Sequence, residues 1–549
     1  SRELRWFLFD LIIHLIIFHG EDFTVHHFTH FQGWNDVGFR GSNQIPTPNI
    51  DALAYNGIVL NRHYTLPCCS PSRAALLTGK YPIRMGLQGF PLIAGHADGM
   101  PLDEVLLPEY LQKLGYITRL IGKWHLGSSK TSMTPTYRGF HSHFGYYNGY
   151  VGYKNGIHDW VEPSNPDSLG AECAVVGKYL TDVYTEEAVK VIKDHEKSTK
   201  PLFLYLSHLA PHAGAPGVLE VRNETENSKK FSFISDPSRR LYAGKSNIRG
   251  TIIFGLSNML QKSVIVFIAD NGGITAWPFP QLQNSASNWP LRGMKFSPFE
   301  GGVRGMSIAW SPLFKDLRKS SEEYMHISDW LPTLFSAAGG NADLLEGLDG
   351  VNHWDYLIES TVKSQIPHTC KISIIEFSLK FSVNATRRHN MTQLYLGESG
   401  RDAENYSMNL VTTSRVSQIL RRNQPSDILR EEYLERRATL DMTSACADRI
   451  AAATSNSTDP FIPPDRCHRK PCLFNIHMDP CEFHDVAEQH PSVVDALQEL
   501  VKSYASEVIP VQDHGFDPAS HPRNWDGWWL LGSTGRRAGT RHVVVHRYE

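Results

Sequence analysis

The chain has 549 residues and a mass of 61.9 kDa, with 54 basic against 57 acidic side chains and a formal charge of −3. That balance excludes a basic, nucleic-acid-coating chain, and 41% hydrophobic with only 20% charged residues excludes an extended disordered one. The length suits several domains with large cores.

In chain order, Trp6 to Phe18 is the first apolar run; it carries Asp10 and His14 and follows Arg2 and Arg5, in the manner of a charged leader. It reads either as the remnant of a secretory signal, with residues 1–22 outside the fold or wrongly joined to it, or as an ordinary buried segment. No later run reaches the roughly 20 apolar residues of a bilayer span, so the body of the chain is expected to have no stable one. Thr47-Pro-Asn-Ile-Asp-Ala-Leu-Ala-Tyr-Asn-Gly57 reads as a capped helix with Thr47 before it and Gly57 past its end. Tyr116–Ile121, Leu202–Leu206 and Val264–Ala269 read as strands, and Tyr184, Ala188, Val191 and Ile192 mark a helical face. The alternation predicts an α/β domain with a large, mostly parallel sheet. Each strand ends in polar residues: Gly122-Lys-Trp-His125, then His208 and His212, then Asp270-Asn271. Ligands of such sheets bind beyond the carboxyl ends of strands, so the three endings point at one crevice.

From about residue 340 the texture changes, with Gly339-Gly340, Arg387-Arg388 and Arg421-Arg422. Residues 23–345 are read as the catalytic domain and 346–549 as a smaller α+β domain, with a strand at Cys472 and a final helix through Val494, Leu497, Val501 and Tyr504. Cys467 and Cys472 lack the companion pair of a zinc site and suit a structural disulfide. Sequons at Asn223, Asn384, Asn390, Asn405 and Asn456 fit a secreted glycoprotein.

The stretch Cys69-Ser-Pro-Ser-Arg73-Ala-Ala-Leu-Leu-Thr-Gly79 resembles the sulfatase signature CxPSRxxxLTG at every fixed position. The resemblance continues in order through Gly122-Lys-Trp-His-Leu-Gly127, Asp270-Asn-Gly-Gly273, Asn288-Trp-Pro-Leu-Arg-Gly-Met-Lys295, Glu300-Gly-Gly-Val-Arg304 and His326-Ile-Ser-Asp-Trp330. It covers nearly the whole chain from Gly33 and looks most like the arylsulfatase B group, which removes sulfate from N-acetylgalactosamine. It implies an alkaline-phosphatase-like fold and a sulfuric ester hydrolase of the secretory pathway, lysosomal or extracellular, acting on a sulfated small molecule or glycan.

Sulfate-ester hydrolysis needs a strong oxygen nucleophile, cations around the sulfate oxygens and an acid for the leaving alcohol. The resemblance implies that Cys69 is converted to formylglycine by a formylglycine-generating enzyme and that its hydrate supplies the attacking oxygen. It puts Arg73 and Lys123 against that group, His125 as the base, and His212 and Lys295 on the substrate's sulfate and leaving oxygen. Asp270, Asn271 and the modified Cys69 would ligate Ca2+. Pro71 and Ser72 open a helix whose amide end favours an anion. Taken singly, Cys69 reads as a buried thiol, Arg73 as a helix-surface residue, Lys123 and Lys295 as solvated charges, a histidine after a strand as structural and Asp270-Asn-Gly-Gly as a turn. Joint order and spacing carry the site.

Two departures stand out. Ahead of Gly33 the family carries an apolar strand ending in an Asp-Asp pair for calcium, and here His30 and Phe31 stand in the matching positions. Phe31 has no ligand atom, and imidazole suits calcium poorly. The segment is a wrongly joined one, or the protein is a glycan-binding pseudoenzyme, or another carboxylate, Asp36 or Asp22, substitutes. After Tyr242-Ala-Gly244 the family's acidic helix gives way to Lys245-Ser-Asn-Ile-Arg249, which predicts weakened packing beneath the site. A third function, a phosphatase on the related scaffold, would use Thr or Ser with two zinc ions, and CxPSR argues against it.

Overall fold

The computed structural model describes residues 14–19, 33–154, 177–214, 218–245, 259–275, 284–317, 319–359, 377–380, 406–422, 430–442, 446, 467, 470–511 and 514–515. Its centre is an eight-stranded mixed sheet built from β1 (His14–His19), β2 (Ile58–Tyr64), β3 (Ile117–Lys123), β4 (Ser142–Tyr146), β5 (Leu202–Ser207), β6 (Ser263–Ile268), β7 (Ser307–Trp310) and β8 (Ser320–His326). Their order across the sheet is β4-β3-β5-β1-β6-β7-β2-β8. Every neighbouring pair is parallel except the two that β7 makes, with β6 and β2, so β7 alone opposes the other strands.

β5 and β6 are buried at every position, as strands covered on both faces must be. The two-residue period of the strand sorts their side chains. Leu202, Leu204 and Leu206 enter one core with helices α1 (Pro48–Asn56) and α3 (Leu180–His195). Phe203 and Tyr205 enter the other with α2 (Cys69–Thr78). α1 has the expected bounds, with Thr47 before Pro48 and Gly57 after Asn56. Thr47 Oγ1 accepts from the Gly38 N–H at 2.8 Å and donates to Asp51 Oδ1 at 2.9 Å, which joins the entry loop to the helix.

β1 bears on the reading of residues 1–22 as a detached leader. His14–His19 lies at the centre of the sheet, parallel to β5 on one side and β6 on the other. The described part of that segment is a strand of the sheet, and an apolar strand is a continuous apolar run, which a leader's apolar stretch also is; residues 1–13 and 20–22 lie outside the described residues. Between His19 and Gly33 stand 13 residues, whose acids are Glu21 and Asp22. His30, Phe31 and Asp22 lie outside the described residues.

Asp36, one of the carboxylates weighed for calcium, is already engaged. Its oxygens accept from Arg239 Nη1 at 2.5 Å, Tyr242 Oη at 2.6 Å, the Gly33 N–H at 2.7 Å and the Ser287 N–H at 3.0 Å. Arg239 and Tyr242 belong to α4 (Pro237–Lys245), so this helix packs firmly and runs through Lys245, contrary to the expected loss of packing there; residues 246–258 lie outside the described residues.

Beyond residue 345 the described residues pack in two places. Helices α5 (Met408–Thr412), α6 (Arg415–Arg422) and α7 (Arg430–Leu440) pack on α1, where Tyr55 stacks on Tyr433 with centroids 5.1 Å apart and Val416 and Leu420 join the first core. Farther on, β9 (Phe377–Lys380) and β10 (Cys472–Asn475) form an antiparallel pair, and Leu473 packs with Val494 and Leu497 of α8 (Pro491–Ala505). Disulfides join Cys446 to Cys481 and Cys467 to Cys472.

Burial pushes the Asp36 carboxyl up from its ordinary value while Arg239 pulls it down. Arg239→Met removes the buried partner and is expected to cost about 3–5 kcal/mol at neutral pH. A carboxyl whose folded-state pKa is raised binds more protons folded than unfolded, so the loss shrinks as the pH falls and Asp36 takes up a proton. Chemical denaturation at neutral and acid pH checks this; a small, pH-independent loss would contradict it.

Candidate active site

The parallel strands deliver the expected residues to one edge. β2 leads into the loop before α2, β3 ends at Lys123, β5 ends at Ser207 and β6 runs out to Asp270 and Asn271. α2 starts at Cys69 itself, two residues earlier than Pro71, with Cys68 extended before it. The first amides of α2 have no partner within the helix and face outward from its positive end, an arrangement that favours an anion. Ser72 secures this start, because Oγ accepts from the Leu66 N–H at 3.0 Å and donates to the Leu66 carbonyl at 3.2 Å.

Cys69 is a free, buried thiol, and Lys295 Nζ donates to its Sγ at 2.8 Å. Arg73, on the same helix face four residues on, donates from Nη1 to the Lys123 carbonyl at 2.9 Å and to Ser207 Oγ at 2.8 Å. Its Nε lies 3.6 Å from Asp270 Oδ2, with both side chains wholly buried. Close approach of β3 to β5 makes this possible: at Gly122, φ is 94° and a Cβ would fall 1.7 Å from the Ser207 carbonyl oxygen.

Electrostatics tie the rest together. The Lys123 ammonium is driven well below its ordinary pKa, first by burial, then by Arg73 and Lys295, while Cys69 and Asp270 oppose the shift. His125 and His212 are also held well below the ordinary range by burial, with Lys123 and Lys295 beside both. His125 has φ 61°, a left-handed conformation that costs a non-glycine residue and is kept where the surroundings impose it. Its Nε2 donates to the Leu92 carbonyl at 2.7 Å, which leaves Nδ1 as the acceptor of the neutral ring. His212 donates from Nδ1 to the Ala213 carbonyl at 2.6 Å and stacks on Tyr150 with centroids 5.2 Å apart, so Nε2 is its acceptor.

All eight expected residues, Cys69, Arg73, Lys123, His125, His212, Asp270, Asn271 and Lys295, therefore belong to one buried cluster. Asp270 and Asn271 are hard-oxygen donors of the kind calcium takes, and Asn271 Nδ2 is turned to the Gly272 carbonyl at 3.0 Å. They fit calcium in kind but fall short of the roughly six to eight oxygens it collects. Among the described residues no group of three or more His, Cys, Asp or Glu gathers as a metal site.

Three contributors were not legible beforehand. Ser207 anchors Arg73. Leu92 offers only a carbonyl, yet that carbonyl sets the tautomer of His125. Lys245 is buried, with Nζ donating to the His212 carbonyl at 2.7 Å and lying 3.9 Å over the Tyr153 ring, whose hydroxyl donates to the same carbonyl at 2.8 Å. No spacing rule reports a side chain that reaches a distant main-chain oxygen; only the departure from the family after Gly244 marked the place.

Lys245 adds to the cations that hold His212 neutral. Lys245→Met is expected to raise the His212 pKa towards its ordinary value while Lys245→Arg keeps it low, as read from the histidine ring signals in an NMR titration. A His212 titration indifferent to the methionine would show that Lys245 only fills space.

The sulfatase family profile matches residues 15–340, from within β1 to beyond the last catalytic strand. Mouse arylsulfatase J is 31% identical over 522 residues, covering 91% of this chain and 78% of the relative. Mouse N-acetylgalactosamine-6-sulfatase is 32% identical over 358 residues, covering 61% of this chain and 65% of the relative. Among solved structures, Ps i-CgsB superimposes with a TM-score of 0.63 at 24% identity, covering 94% of this chain and 97% of that one, and the PsFucS1 sulfatase from Pseudoalteromonas sp. with 0.58 at 20%, covering 92% of each. At these identities the two structures carry the fold. The expected arylsulfatase B group is not singled out by these relatives; the family is, and the chain belongs to the sulfatases, hydrolases of sulfuric esters.

Proposed function

We propose that this sulfatase removes sulfate from sulfated sugars or glycans, with formylglycine at position 69 and calcium at Asp270 and Asn271. The observation that carries the reading is the 2.8 Å contact of Lys295 Nζ with the side chain of residue 69, inside a buried cluster that also holds Arg73 and Lys123. The sugar side is supported by the relative named for N-acetylgalactosamine 6-sulfate and by the Ps i-CgsB complex with k-i-k-neocarrahexaose. Two disulfides, and the Asn223 sequon exposed at a helix start, support passage through the oxidising secretory pathway to a lysosomal or extracellular destination; the other sequon asparagines lie outside the described residues.

The formylglycine hydrate would supply an attacking oxygen, and calcium would offset sulfate charge and orient that oxygen. This chain's residues do the rest. Lys295 holds the atom at position 69 and a sulfate oxygen together. Arg73, fixed by Ser207 and the Lys123 carbonyl, and Lys123 itself neutralise charge that grows on the sulfate oxygens. His125, its Nε2 committed to Leu92, takes a proton on Nδ1. His212 faces the leaving oxygen through Nε2, and Lys295 supplies an ammonium proton beside it.

Protein made in secreting cells is expected to hydrolyse 4-methylumbelliferyl sulfate, and Cys69→Ala to abolish this. Lys295→Ala should lower kcat by roughly 10²–10³, as loss of one charge-stabilising donor does. Chelation should remove the activity and calcium restore it, with Asp270→Asn raising the calcium needed. Turnover that survives Cys69→Ala would overturn the reading.

A further inference from the structure

Beside the start of α2 lies a cavity of about 470 Å³, within the range of small-molecule sites. Its walls include Cys68 and Pro71, which flank position 69 along the chain, and Phe296, which follows Lys295. Phe90, Tyr81 and Tyr504 line it further, and among the described residues no charged side chain does. Phe90 and Phe296 stack with centroids 5.3 Å apart, and Lys295 Nζ lies 5.5 Å from the Phe296 ring.

Both rings are pinned by the elements that carry the site. The loop of Phe90 is held on either side: Cys68 Sγ donates to the Gly89 carbonyl at 2.8 Å, and the Leu92 N–H donates to Ser70 Oγ at 3.1 Å. The Leu92 carbonyl receives His125 Nε2. Phe296 donates its N–H to the Pro67 carbonyl at 2.7 Å and sits at φ 71°, a left-handed conformation that a bulky residue rarely adopts. Phe90 is nevertheless 59% exposed, a large apolar ring left in water beside a buried cationic cluster.

We propose that the Phe90–Phe296 pair and its cavity form the subsite for the leaving alcohol, and that it takes a ring with an apolar face, either an arene or the C–H face of a pyranose. The inference rests on the reading of Lys295 and residue 69 as the sulfate site, because the cavity wall nearest that site is the Phe296 ring, 5.5 Å from Lys295 Nζ, within reach of a group esterified to a sulfate held there. The uncharged lining selects against a second anionic group on that ring: a neutral ring stacks there, and a polyanionic one loses its hydration without gaining a partner.

Equilibrium binding to Cys69→Ala protein, with and without Phe90→Ala, tests the subsite without turnover. The probes are 4-methylumbelliferyl sulfate, N-acetylgalactosamine 6-sulfate and inorganic sulfate. Phe90→Ala is expected to weaken the ring-bearing probe that the subsite accepts by about fivefold and to leave inorganic sulfate unchanged, while Phe90→Tyr keeps the affinity. Loss confined to the umbelliferyl ester identifies an arene, loss confined to the sugar sulfate a pyranose face, and loss for both a general ring subsite. Affinity for both ring-bearing probes unchanged by Phe90→Ala would overturn the subsite. Ring-bearing probes that respond to Phe90 while inorganic sulfate does not bind would instead overturn the sulfate reading of Lys295 and residue 69.

Discussion

Three cations, Arg73, Lys123 and Lys295, are buried around one thiol with the Asp270 carboxylate beside them, and the rest of the site follows from that imbalance. Burying like charges together is costly, and Lys123 shows the cost as an ammonium pushed well below its ordinary pKa. The same field keeps His125 and His212 neutral. A cluster of this kind is strained until an anion enters, and a sulfate group offers three oxygens to the three cations at once. Binding energy is thereby spent where charge develops during ester cleavage.

The sheet is what holds the cations so close. Strands running the same way bring Lys123, Ser207 and Asp270 to a common edge, and Gly122 lets β3 and β5 approach near enough for Arg73 to bond to both. β1 sits at the middle of that edge between β5 and β6.

Motifs with fixed spacing were the legible part of the site, since Cys69 to Gly79, Lys123 to Gly127 and Asp270 to Gly273 each lie on one strand end or helix start. The helix from Pro48 to Asn56 and the strands at 117, 202 and 263 were legible for a similar reason, because caps and apolar runs are local signals. β1 was ambiguous because an apolar strand and a leader share one pattern. Asp36 was weighed as a calcium ligand, and only its contacts across the fold to Arg239, Tyr242 and Ser287 assign it to structure. Ser207, Leu92 and Lys245 act through long-range bonds, two of them to or from main-chain carbonyls, which side-chain identity does not encode.

The claim that an anion relieves the buried cations has a direct thermodynamic consequence. Lys123 and His212 are held at low pKa by burial and by neighbouring positive charge, so an entering sulfate raises both and draws protons from solvent. Titration calorimetry of inorganic sulfate into the protein near neutral pH, in buffers of different ionisation enthalpy, counts those protons. The account expects net proton uptake that is smaller in Lys123→Met protein, where His212 still responds; sulfate binding with no change in bound protons would contradict it.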